Sequence, residues 1–349
     1  FLQPWRPMLA SPSTAPEPAT PEGVGAPVRR EVTVVIAAWR ASGTIGRAVA
    51  SALAQPEAAE VVVVDDASND DGATLAAARA ADDGTGRLIV LELEKNAGPS
   101  TARNTALRAS KAAWIAVLDS DDFMQPGRLA KLLALSQAGY ELIADDLLQT
   151  PEGQPASAGQ PLWFRDDTIP IDIDFTFFID NNISKRSRMR RELGFLKPLV
   201  QRAFLEKHGL VYDETMRLGE DYDLYARALS LGAKMRLIPW TGYVSVMRSN
   251  SLSAKHDRRD LAALAAADDR LLASGRISVQ DARLVKRHRF SIDSRIAWID
   301  FMTGVKGGKP FQVLGVILRD VRQTPYVLRL AFELFLRRAG NLIAGRSSH

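Results

Sequence analysis

The chain of 349 residues contains no cysteine, which excludes disulfide bridges, thiol catalysis and a Cys-ligated zinc site. Its four histidines, at 208, 256, 288 and 349, never recur at a metal-binding spacing such as His-x-x-x-His. No run of about 18 consecutive apolar residues is present, so no transmembrane helix is predicted. Gly-x-Gly-x-x-Gly and Walker-type loops are missing, which counts against a dinucleotide enzyme or a kinase. Net charge is also scarce: 45 Lys and Arg against 41 Asp and Glu leave +4, too slight to argue for a nucleic-acid partner. What is there, 46% hydrophobic and 25% charged residues, is the composition of a soluble globular chain with a main domain and an elaboration.

Residues 1–30 hold seven prolines and almost no periodicity, a composition that predicts a mobile tail. From Glu31 the texture changes. Val32–Ala38 is a β-branched run suited to a strand buried on both faces. A helix over Thr44–Ala54 follows, then a second buried strand, Glu60–Val64, ending in Asp65-Asp66-Ala67-Ser68. A helix at about 71–82, a strand at Leu88–Leu93 and a helix opened by Asn96-Ala97-Gly98-Pro99-Ser100 lead to the apolar strand that ends at Asp119. Strand–helix alternation of this length gives right-handed crossovers and a parallel sheet with helices on both faces. Ligands bind such sheets at the carboxyl ends of the strands. Three polar strand ends, Trp39-Arg40, Asp65-Asp66 and Asp119–Asp122, therefore converge on one crevice. Further on, the pattern predicts a helix at Arg128–Ala138, a strand at Glu141–Asp146 and a polar loop at Pro151–Pro161 outside the sheet. A strand at Ile171–Phe175, a short helix from Val200 to just before Gly209 and a strand at Lys234–Pro239 complete this part.

Asp119, Ser120, Asp121 and Asp122 form the acidic centre. Read as the end of a strand, Asp119 and Asp121 point the same way, about 7 Å apart. Two hard oxygen ligands there suit Mg²⁺ or Mn²⁺, which keep waters and take phosphate oxygens as further ligands. Asp65 and Asp66 can accept from a base N–H or a ribose hydroxyl, and Trp39 can offer a ring face to a nucleobase. The Asn96–Ser100 loop sets backbone N–H groups at a helix start, which favours an anion, with Arg103 close enough to approach the same phosphates. A second acidic centre is Gly219-Glu220-Asp221-Tyr222-Asp223. At a helix N-terminus the dipole keeps Asp221 ionised and ready to accept a proton. Arg248, opening a polar loop through Ser253, can close over a diphosphate. Each piece alone also reads as an ordinary cap, turn or solvated side chain.

In order, Val-Thr-Val-Val-Ile-Ala-Ala-Trp, Val-Val-Asp-Asp-Ala-Ser, Asn-Ala-Gly-Pro-Ser-Thr-Ala-Arg-Asn, Leu-Asp-Ser-Asp-Asp and Gly-Glu-Asp-Tyr-Asp resemble the inverting glycosyltransferases of family 2, from about residue 32 to 255. The finer pattern is similar to bacterial exopolysaccharide glycosyltransferases of the succinoglycan type. The resemblance implies a GT-A fold over residues 31–255, a mostly parallel sheet with helices on both faces; apolar spacing in Leu261–Leu272 and Leu284–Phe301 predicts a helical region at 256–349. It implies that Ala38, Trp39, Asp65 and Asp66 hold the uridine of a UDP-sugar, with Gly98, Arg103, Ser120 and Glu220 around the same donor. Asp119 and Asp121 would hold Mn²⁺ or Mg²⁺, Asp221 would be the general base, and Arg248 would face the departing diphosphate. The acceptor would be a hydroxyl of a glycan or lipid-linked glycan. The opening departs from the family's usual Pro-x-Tyr-Asn, having Ala37-Ala38-Trp39-Arg40 instead. A nucleotidyltransferase with a similar acidic sheet, or an inactive glycosyltransferase-like scaffold, remain alternatives to this reading.

The last stretch, Phe311–Arg346, interleaves apolar residues with Arg319, Arg322, Arg329, Arg337, Arg338 and Arg346 against only Asp320 and Glu333. A basic amphipathic stretch suits an anionic membrane surface, and so a cytoplasmic enzyme peripheral on the inner face of the cell membrane. It equally suits helices packed on the catalytic domain or on a second subunit, which leaves the oligomeric state open.

Overall fold

The computed structural model describes residues 30–165, 168–183, 192–248 and 257–344. The expected Pro-rich tail up to residue 29, the Ser249–Ser253 part of the polar loop and Arg346 lie outside the described residues.

The valine-rich opening forms β1 (Val32–Ala38), buried almost end to end, because branched side chains pack well on both faces of an interior strand. Its parallel partner β2 (Ala58–Asp65) sets Ala38 beside Asp65, and β3 (Leu88–Glu92) pairs with β2. On the other side of β1 lies β4 (Trp114–Val117), also parallel. The crossovers are α1 (Ile45–Leu53), α2 (Ala73–Ala80) and α3 (Pro99–Arg108). Helix α1 buries Ile45, Ala48, Val49, Ala52 and Leu53, the spacing of a single helix face. The polar ends of β1, β2 and β4 thereby share one edge of the sheet.

The other half is built on β6 (Leu142–Pro151) and β10 (Met235–Met247), which run parallel. The sheet order is β3-β2-β1-β4-β9-β6-β10-β5, where β5 (Phe123–Met124) is antiparallel to β10 and β9 (Leu199–Gln201) is antiparallel to both β4 and β6. Strand β9 was not expected. The helix predicted from Val200 begins instead at Arg202, as α6 (Arg202–His208), because Leu199 and Val200 fill the gap between the two halves of the sheet. Pro198 also restricts Lys197 to an extended backbone. Two further expectations are corrected. The Pro151–Pro161 loop returns to the sheet as β7 (Gln160–Pro161) on β6. The Ile171–Phe175 strand stops after β8 (Ile171–Ile173), since Asp174 caps α5 (Phe175–Asn182) by accepting from Phe177 N–H at 2.7 Å.

Beneath this sheet edge lies a buried ion pair. Arg128, which opens α4 (Arg128–Leu133), is fully buried; it bonds Asp145 at 2.7 Å through one terminal nitrogen and donates to the Lys197 carbonyl at 2.5 Å. Asp145 also accepts from Gly242 N–H at 2.9 Å, at the register shift of β10. A Cβ on Gly242 would fall 2.2 Å from the Trp240 ring and 2.7 Å from Asp145, so no larger residue fits this bulge.

The C-terminal region comprises α8 (Arg258–Ala273), α9 (Val279–Lys306), α10 (Pro310–Arg319) and α11 (Thr324–Ala344). It is continuous with the first part through Leu271 and Val285, which lie in the same core as the sheet. Polar contacts reinforce that join. Tyr222, in α7 (Glu220–Ser230), donates to Asp268 at 2.9 Å, and His288 Nδ1 lies 2.8 Å from the other Asp268 oxygen.

Removing the charge at the base of the sheet edge is expected to be costly. Arg128→Met leaves Asp145 buried and unpaired, and should lower the unfolding free energy by about 3–5 kcal/mol. Urea denaturation followed by tryptophan fluorescence measures it, and a loss within error of zero contradicts this account.

Candidate active site

The strand of the acidic centre ends earlier than expected. β4 stops at Val117, and Asp119–Asp122 form a turn closed by Asp122 N–H to Asp119 C=O at 3.1 Å. The alternation argument for Asp119 and Asp121 therefore does not apply, and the two carboxylates have different surroundings. Asp119 receives Arg103 at 2.9 Å on one oxygen and Lys197 at 3.0 Å on the other. Asp121 has Arg248 at 3.9 Å, while its carbonyl accepts from Arg47 at 2.5 Å; Ser120 sits in the turn between them. Asp122 is buried, taking the Tyr243 hydroxyl at 2.9 Å and Val246 N–H at 2.8 Å.

Lys197 is the residue that sequence reasoning missed. The antiparallel pairing of β9 with β4 sets Ala116 opposite Leu199, so Lys197 emerges on the same sheet edge as Asp119. Its ammonium reaches Asp221 Oδ2 at 2.6 Å as well as Asp119. Asp221 and Glu220 stand in the first turn of α7, as expected, after Gly219 in the left-handed region at φ 78°. Arg103 pairs with Glu220 and lies 3.7 Å from Asp221 Oδ1, an atom that accepts no hydrogen bond among the described residues. Arg103 thus faces carboxylates rather than the phosphates assigned to it from the sequence.

The Asn-Ala-Gly-Pro-Ser-Thr-Ala-Arg-Asn segment has a second task. Ser100, Arg103 and Asn104 occupy one face of α3, at i, i+3 and i+4. Ser100 donates to the Met216 carbonyl at 2.8 Å, and Asn104 donates to the Tyr212 carbonyl at 2.9 Å. Together with Arg103 they seat the chain that leads into α7. Two of the loop's N–H groups are already engaged within the protein: Ala97 and Gly98 donate to the two oxygens of Asp66 at 2.7 and 2.8 Å. Gly98, at φ 94°, is the turn that makes this possible. Asp66 and Asp65 are both buried, and Asp65 is held by Ser68 N–H at 3.0 Å and the Ser68 hydroxyl. Both carboxylates shape their loops, and neither is presented as a free acceptor. Ala38 is buried at the end of β1, whereas Trp39 is 46% exposed, with Arg40 lying over its ring at 5.1 Å.

The electrostatics separate the acids. Burial opposes ionisation of Asp119, but Lys197 and Arg103 outweigh it and hold the carboxyl at about 2. Burial, then the charges of Asp119 and Asp121, push Asp122 up to about 8. Asp121 is raised by burial and by Asp119, and Glu220 is raised by burial in spite of Arg103. Negative charge is therefore in excess at the turn. Among the described residues no three His, Asp or Glu side chains converge as a metal cage. Of the two expected ligands, Asp119 has a cation on each oxygen, whereas Asp121 has only Arg248 at 3.9 Å from one of its two.

The Glycosyl transferase family 2 profile matches residues 33–191. The succinoglycan biosynthesis protein ExoU of Rhizobium meliloti is 52% identical over 265 residues, which are 76% of this chain and 76% of that protein. S. aureus TarS 1-349 in complex with UDP-GlcNAc superposes with a TM-score of 0.54 at 15% identity, covering 82% of this chain and 90% of that one. The mannosyltransferase PcManGT from Pyrobaculum calidifontis, in complex with GDP-Man and Mn²⁺, gives 0.55 at 16% identity, with 88% and 81% covered. At such identities the structural likeness establishes the GT-A fold alone. The sequence relationship sets aside the nucleotidyltransferase alternative, and the chain belongs to glycosyl transferase family 2, as a glycosyltransferase.

Proposed function

We propose that the protein moves a sugar from a UDP-sugar, with inversion, to a hydroxyl of a glycan or lipid-linked glycan in exopolysaccharide assembly at the cytoplasmic face of the cell membrane. The succinoglycan role of the Rhizobium relative and the UDP-GlcNAc bound by TarS support the acceptor and donor classes. The observation that carries the reading is Lys197, which ties Asp119 at the donor side to Asp221 at the acceptor side.

Asp221 is assigned as the base that takes the proton of the acceptor hydroxyl; Lys197 holds its Oδ2 at 2.6 Å, and its Oδ1 is buried with no hydrogen-bond partner among the described residues. The acceptor oxygen so activated attacks the anomeric carbon opposite the leaving diphosphate, and one direct displacement inverts the centre. Trp39 offers the uracil a ring face at the end of β1. Arg248 faces the diphosphate beside Asp121. Asp121 is the residue that would hold a divalent ion, Mn²⁺ or Mg²⁺, since such ions need only one or two protein carboxylates. When bound, the ion neutralises charge on the departing UDP. Asp119 is assigned to orienting Lys197 and Arg103 rather than to the metal.

UDP release from a panel of UDP-sugars, with an acceptor glycan and Mn²⁺ or Mg²⁺, tests the proposal. Metal-dependent release should fall about 10²–10⁴-fold in Asp221→Asn, while UDP binding persists. UDP binding without turnover of any donor, in the presence of acceptor, identifies an inactive scaffold, and no UDP binding at all sinks the donor assignment. Asp121→Asn should raise the metal concentration needed for half-maximal release, whereas an unchanged requirement moves the ion elsewhere. Lys197→Met removes one of the two cations that Asp119 and the buried Asp221 share. It should cost about 3 kcal/mol of stability in thermal or urea melts and lower kcat more than it raises the donor KM. Equal changes in both kinetic constants contradict its role in holding Asp221.

A further inference from the structure

The transfer reaction leaves α10 and α11 without a task, although they carry six of the thirteen exposed large apolar side chains among the described residues. Both helices rest on α9: Val316 of α10 and Val327 of α11 are buried with Ala297. A helix turns about 100° per residue, so Leu314 and Leu318, two residues on either side of Val316, point away from α9, and Phe311 with them. Phe311 is 88% exposed and Leu318 65%. On α11 the outward row is Leu328, Phe332 and Leu336, at steps of four, with Phe332 61% exposed. Two neighbouring helices thus turn apolar rows outward. Between α9 and α11 an open groove of about 470 Å³ is lined by Trp298, Ile299, Met302, Thr303, Lys306 and Leu334.

The charge around these rows identifies the occupant. Residues 305–344 include seven Lys and Arg against two acids. Arg319, Arg322 and Arg329 pair with Asp300, Asp320 and Glu333 at 3.5, 2.9 and 3.7 Å. The two arginines on α10 and just after it are well exposed, and exposed ion pairs of this kind contribute little and exchange readily for other anions. The excess of cations over acids favours an anionic occupant over a second copy, which would bring the same excess with it. Among the described residues no helix is long and apolar enough to cross a membrane. We propose that α10 and α11 lie in the plane of an anionic phospholipid surface, apolar rows at the acyl boundary and arginines on the lipid phosphates.

Flotation of the full chain with vesicles tests this, comparing phosphatidylglycerol–phosphatidylcholine with phosphatidylcholine alone. The protein should float with the anionic vesicles only, and less as salt is raised. Phe311→Asp and Phe332→Asp should each weaken that partitioning about tenfold, with melting temperature and UDP binding unchanged because both rings are exposed. Failure to float, equal flotation with neutral lipid, or flotation indifferent to both substitutions overturns the proposal. A dimer in light scattering that Phe311→Asp and Phe332→Asp convert to monomer, with no flotation, overturns it in favour of a second copy.

Discussion

Two buried cations hold three carboxylates at the edge of the sheet, and the geometry of the site depends on that arrangement. Arg103 and Lys197 are each surrounded by Asp119, Asp221 and, for Arg103, Glu220. Removing such charges from water costs several kcal/mol per ion, and only close pairing offsets it. The four segments that carry them, α3, the turn after β4, the chain before β9 and the start of α7, therefore have little freedom to drift apart. The same pairing divides labour among the acids. Asp119 stays ionised and engaged, Asp122 is pushed toward its neutral form, and Asp121 is left to face the solvent and Arg248.

Behind the network a second layer keeps it in register. Arg128 binds both Asp145 and the Lys197 carbonyl, and its guanidinium lies over the Tyr243 ring at 5.1 Å. The Tyr243 hydroxyl accepts from Asp119 N–H at 3.0 Å and donates to Asp122. One buried arginine thereby supports the lysine on one side and the acidic turn on the other. The glycine bulge in β10 is part of this layer, since Gly242 N–H completes the acceptor set of Asp145.

Much of this was legible in the residues. Valine runs announced β1 and β2, because strands buried on both faces have no alternation to hide. The acids at the strand ends, and Asp221 at a helix start, were read from position alone. Lys197 was not, and the reason is physical. A three-residue strand such as β9 owes its conformation to Trp114–Ala116 and to Leu142 and Ile143, partners remote in sequence. Local periodicity saw only apolar residues leading into α6. Arg103 and Asp66 were read as ligand groups, yet their partners proved to be other loops of the protein, since an unpaired buried charge or N–H would be costly. The one local signal that pointed to β9 was Pro198.

Tyr222 follows Asp221 directly, and its hydroxyl is fixed to Asp268 of α8 and lies 3.0 Å from His288 of α9. The rotation of α7 about its axis, and so the direction of the Asp221 carboxylate, is set partly by the C-terminal helices. Exchange of that region between family members has to carry a compatible aspartate and histidine with it. The helical segment and α7 thus fold as one cooperative unit, and the segment is no freely graftable module.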